Sequence, residues 1–176
     1  MNEADSPNQG LEYYKLFAPL AGAILSIIGG FAALYFRARL DKKQEINYIK
    51  IGLTDELREI CSIIGKLNET HNTTHTLPNL YLNDLKRNTE SFSFHKQKLF
   101  LISSSELRRE IVAFYKSLDE IISESINRVG TLGENPAGGT HDQIIAKFAA
   151  LKLKAEALDV KLKKYEYYLL WYNPIK

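Results

Sequence analysis

The chain has 176 residues, 45% hydrophobic and 25% charged, with a formal net charge of +2. That near-balance, only mildly basic after Arg37, argues against duplex nucleic acid as a partner and leaves room for a local basic patch that holds a small anion. The single cysteine, Cys61, excludes an intramolecular disulfide and suits a reducing compartment.

Residues 1–15 form a short tail carrying Glu3, Asp5 and Glu12 against one cation, Lys15. Residues 16–36, LFAPLAGAILSIIGGFAALYF, follow without a single charge. At the helical rise such a run is about 30 Å long, the thickness of a bilayer's hydrocarbon core. A secretory signal peptide would start basic, be shorter and end in small residues. This run ends in Leu34, Tyr35 and Phe36, so it reads as a retained single transmembrane helix. Two spans would have too few residues each. Arg37, Arg39, Lys42, Lys43 and Lys50 follow it while only Lys15 precedes it. The positive-inside rule then places the N-terminus outside the inner (plasma) membrane and the remainder in the cytoplasm. Tyr13, Tyr14, Tyr35 and Phe36 suit the two interfaces. Ala18, Gly22, Ser26 and Gly30 recur every fourth position, a spacing that lets two helix backbones pack closely and predicts a homo-oligomer. Pro19 is expected in the first turn, where its missing N–H costs nothing.

Residues 37–53 read as a basic juxtamembrane connector continuing the helix, and residues 54–176 as a cytosolic helical sensor or oligomerisation domain. Thr54 is expected to cap a helix with Leu53, Leu57, Ile60, Cys61, Ile64 and Leu67 on one face. Cys61 on that stripe reads as a buried thiol. The turn-forming stretch 68–79 should end this helix, a short helix should span 80–86, and 89–99 matches no single pattern. Ser103 with Glu106 reads as a capping box for a long amphipathic helix stopped by Gly130. Thr140 with Gln143 reads as a second box, opening a heptad stripe through Ile144, Phe148, Leu151, Ala155, Leu158, Leu162, Tyr165, Leu169 and Tyr172. The fold class is therefore mainly α: one N-terminal transmembrane helix and a cytosolic domain containing a long antiparallel helical hairpin.

Chemical motifs are sparse. The sequence has no nucleophile elbow, phosphate-binding glycine motif or carboxylate constellation, which predicts a non-enzyme without cofactor. His71 and His75 have no third ligand near them in sequence, so no metal site is expected. Gly138, Gly139 and Thr140 read as a solvated cap. Lys86, Arg87, Phe94, His95, Lys96 and Lys98 interleave cations with a ring, a pattern that can neutralise phosphates and stack a base. These six are the candidate ligand-binding residues, with Phe92 the neighbouring ring. The aromatic C-terminus, from Tyr165 to Tyr172, suits a subunit interface.

The Gly22-Ser26-Gly30 span, the Arg37 to Lys43 flank and the helical remainder together resemble the small membrane effectors of type III CRISPR defence, which are gated by cyclic oligoadenylate. The likeness is one of architecture over the whole chain. It implies an oligomeric antiviral effector whose cytosolic part binds a cyclic oligonucleotide and whose spans then perturb the membrane. A membrane-tethered adaptor and a holin-like lysis protein are the alternative expectations.

Overall fold

The computed structural model describes residues 8–134 and 141–165, with side chains described from Phe17 onward. All regular structure among the described residues is helical: α1 (Asn8–Thr74), α2 (Asn79–Lys96), a 3-10 turn (Leu99–Leu101), α3 (Ser105–Leu132) and α4 (Asp142–Lys164). The chain divides into two units, residues 1–44 and 45–176.

In the first unit α1 presents an apolar surface on every side. Each residue from Phe17 to Phe36 is exposed, and the most apolar window has a mean hydropathy of 2.0. Among the described residues this is the one helix long and apolar enough to cross a membrane. Gly22, Gly29 and Gly30 have open space where a Cβ would stand. Pro19 lies inside the helix rather than in its first turn, because α1 begins at Asn8. Its missing N–H leaves the carbonyl four residues earlier without the usual helical donor. Arg39 stacks over the Tyr35 ring at 4.9 Å.

The second unit is built on the later half of α1. Ile46, Ile49, Leu53, Leu57, Ile60, Ile64 and Leu67 recur at steps of three and four, and all are buried. Packing therefore starts inside the stretch read from sequence as a connector, eight residues before Thr54. Thr54 caps nothing; it is a buried residue in mid-helix. The helix ends inside the polar stretch 68–79 as expected, after running on through its first seven residues to Thr74. Thr73 and Thr74 turn their hydroxyls back onto the carbonyls of Glu69 and Thr70. This satisfies polar groups without breaking the helix. Termination comes at His75, whose φ of 55° is left-handed and whose N–H reaches the His71 carbonyl at 2.7 Å.

Helix α2 extends ten residues beyond the short helix expected at 80–86 and absorbs most of the unassigned 89–99 stretch. It buries Leu82, Leu85, Asn88 and Phe92. Ser104, not Ser103, caps α3: its side chain accepts from the Leu107 N–H at 3.2 Å. Ser103 instead bonds the Tyr165 hydroxyl, through N–H at 2.8 Å and Oγ at 2.7 Å. Helix α3 runs past Gly130 to Leu132 and stops at Gly133, whose φ of 82° needs a residue without Cβ. The heptad positions of α4 from Ile144 to Leu162 are buried as the stripe requires. The Thr140 box, the Gly138-Gly139 cap and the aromatics beyond Tyr165 lie outside the described residues.

Helix α3 packs against both α2 and α4. Two ion pairs link α3 to α4 in opposite order along the chain: Glu110 with Lys161 and Glu124 with Lys147. The core of this unit is continuous, drawing side chains from all four helices and from Leu77 and Ile102 between them.

Candidate functional site

The face of α2 that buries Leu85 and Phe92 fixes where the six candidate ligand residues point. Lys86 and Arg87 lie on the exposed side, Phe94 is 79% exposed, and Lys96 and Lys98 are exposed near the helix end. Phe92 goes the other way and stacks on Tyr115, with ring centroids 3.7 Å apart and planes within 3°. Three of the five cationic or imidazole groups among them face carboxylates. Arg87 meets Asp84 at 3.8 Å, Lys98 meets Glu45 at 3.4 Å, and His95 Nε2 meets Glu56 Oε1 at 3.2 Å. Among the described residues Lys86 and Lys96 have no carboxylate partner. The six thus share one stretch of surface along α2 and the following turn, and they do not converge on a closed cavity.

Beneath them lies a polar node that sequence reading missed. Glu56 of α1 receives the Ser91 hydroxyl at 2.9 Å and His95 Nε2 on Oε1, and the Tyr115 hydroxyl at 2.8 Å on Oε2. One carboxylate therefore ties α1, α2 and α3. Burial is the main cause that pushes the Tyr115 phenol far above its ordinary range, and the Glu56 carboxylate adds to it. Tyr115 consequently stays a donor at any ordinary pH. The His95 ring also lies against the backbone of Gly52, where a Cβ would come within 3.2 Å of its Cε1. The signal available in sequence was weak: Glu56 flanks Leu57 on an apolar stripe, and Tyr115 follows Phe114 on another.

A second polar contact joins the end of α1 to the start of α4. Buried His71 has Nε2 2.9 Å from Asp142 Oδ1 and Nδ1 3.3 Å from the Thr76 carbonyl. Its ring meets that of His75 edge-on at 5.8 Å. Both nitrogens of His71 are thus engaged within the fold, and among the described residues no group of three or more His, Cys, Asp and Glu is placed to hold a metal ion. Cys61 is half-buried, its Sγ 3.9 Å from the Lys152 carbonyl, and burial raises its thiol pKa. A thiol so placed is a poor nucleophile.

Along α3 and α4 runs a groove of about 300 Å³, floored by Ala113, Phe114, Ala157 and Leu158 and edged by Glu110 and Lys161. It leads to a second depression of about 420 Å³ bounded by Ser104, Leu107, Lys164 and Tyr165. Small residues on both helices leave the floor open.

No protein-family model matches the chain. Neither a curated protein nor a solved structure matches it.

Proposed function

We propose that the chain is a single-pass protein of the inner membrane that holds its 45–165 helical module on the cytoplasmic side and acts through association of its spans. The observation that carries this reading is the complete exposure of an uncharged helical surface from Phe17 to Phe36. A helix apolar on all sides is stable only in an apolar surrounding, which a bilayer supplies. Arg37 to Lys43 on one flank favour the cytoplasmic placement of the module. Open space beside Gly22, Gly29 and Gly30 supports close approach of a second span. Within the module, α3 and α4 act as an antiparallel hairpin, a reading supported by the reversed order of their two ion pairs.

The finer proposal is an effector gated by a small anionic ligand, a cyclic oligonucleotide being the class suggested by architecture. Its support is the exposed Lys86, Phe94 and Lys96, whose side chains the core does not use. Ligand binding shifts span association only by the difference in its affinity for the two states. The tethered-adaptor alternative is favoured by the α3–α4 groove, whose alanine floor suits a partner helix.

One experiment addresses the central reading. Membranes from cells expressing the full chain with a reporter at Lys176 should retain it through alkaline carbonate, with the reporter active only in the cytoplasm. Release into the soluble fraction overturns the anchor. Span crosslinking that persists in Gly22→Leu/Gly30→Leu overturns association through the small-residue face. Thermal shift of the detergent-solubilised full chain with cyclic oligoadenylates then separates effector from adaptor, since a ligand that binds only the fold stabilises it.

A further inference from the structure

Helix α2 descends along α1 in the reverse direction. Ser91 and His95 meet Glu56, the His95 ring reaches Gly52, and Lys98 meets Glu45. Moving forward from Ser91 to Lys98 therefore moves backward along α1, to the point where the second unit begins. The 3-10 turn that follows sits at this end of the module. Phe100 in the turn is 70% exposed, Phe94 six residues before it is more exposed still, and Tyr48 just past Glu45 is 74% exposed. Lys96 and Lys98 lie between the two phenylalanines. Large rings left in water beside cations are unusual on a module that buries Phe92, Phe114, Tyr115 and Phe148.

Connectivity supplies the partner. Glu45 is nine residues beyond Phe36, and nine residues reach at most about 30 Å even when fully extended. The turn is thus held within reach of a bilayer interface whenever the span is inserted. Phenylalanine and tyrosine favour the headgroup–acyl boundary, and lysine favours the anionic phosphates of a cytoplasmic leaflet.

We propose that the turn closing α2, from Phe94 to Phe100, is a lipid-docking element: its two phenylalanines enter the interface while Lys96 and Lys98 meet lipid phosphates. This rests on the membrane-anchored reading and adds a second, reversible membrane contact to it. Lys98 exchanges Glu45 for a phosphate at little cost, because the pair is solvent-exposed.

The test uses the full chain in phosphatidylcholine vesicles with and without phosphatidylglycerol. The native indole is removed by Trp171→Phe, and a single one is introduced by Phe100→Trp or, as a span control, by Phe31→Trp. The indole at position 100 should lose fluorescence with lipids brominated near the headgroup and be shielded from acrylamide. The loss should grow with phosphatidylglycerol and fall with salt, and Lys96→Gln/Lys98→Gln should remove that dependence. Quenching at position 31 with none at position 100 overturns docking and leaves the anchor standing. Quenching at neither position overturns both. Shielding of position 100 by a cyclic oligonucleotide without lipid assigns the rings to a soluble ligand and overturns the proposal.

Discussion

Two stretches of α1 are both rich in Leu and Ile, yet they meet opposite fates. Phe17 to Phe36 is exposed at every position, whereas Ile46 to Leu67 buries eight aliphatic side chains. The difference lies in pattern. The later stretch alternates its apolar groups with Lys50, Asp55, Arg58 and Lys66, so one seam can be covered while the rest stays wet. The earlier stretch has no wet side to offer.

Paired substitutions sharpen that contrast. The largest effect is expected from Leu53→Ala, which empties a fully buried site and should cost about 2–5 kcal/mol in denaturant unfolding of the full chain in detergent. Leu25→Ala, in the exposed stretch, should leave that transition unmoved. Equal effects would show that the first unit packs within the same cooperative fold.

Tyr115→Phe comes next. It withdraws one donor from a mostly buried carboxylate and should cost about 1–3 kcal/mol at neutral pH. The phenol's folded pKa is raised, so the unfolded chain releases this proton first as pH climbs. The contribution of Tyr115 is full below its unfolded pKa of about 10 and is lost progressively above it. Stability followed from pH 8 to 11 should fall less steeply in the variant than in the parent. Parallel curves would remove Tyr115 from the alkaline limb.

The smallest effect is a gain. Gly65→Ala adds a Cβ that meets only the Lys152 Nζ at 3.8 Å, an ordinary contact. It should stabilise the module by about 0.5–1 kcal/mol through helix propensity, read as a higher melting temperature. Gly30→Ala should leave module melting unchanged. A lowered midpoint for Gly65→Ala would mean that the contact with Lys152 is less yielding than its length implies.

Local features of the fold were legible in the sequence. An uncharged helical length announces itself through composition, and the α3 and α4 stripes through periodicity. Helix ends were harder to place. Residues 68–74 carry turn-forming side chains, yet His71 is held by Asp142 from 71 residues away, and that contact favours another helical turn. Phe92 and Phe94 show why the candidate site was only half visible. Two residues apart, they share a face in a strand and take opposite sides of a helix. Helix α2 separates them, sending Phe92 onto Tyr115 and Phe94 to the surface. The Glu56 node was hidden for a related reason: its three donors come from two other helices, and no short motif records them.

Tyr165 has a bearing on how the protein is made. Its carbonyl accepts from Lys50, 115 residues earlier, and its hydroxyl fastens Ser103. Translation delivers the oily N-terminal rod long before the residue that closes this loop. The module therefore completes its fold only after the whole apolar stretch has been synthesised, and whatever covers that stretch has to act in the interval.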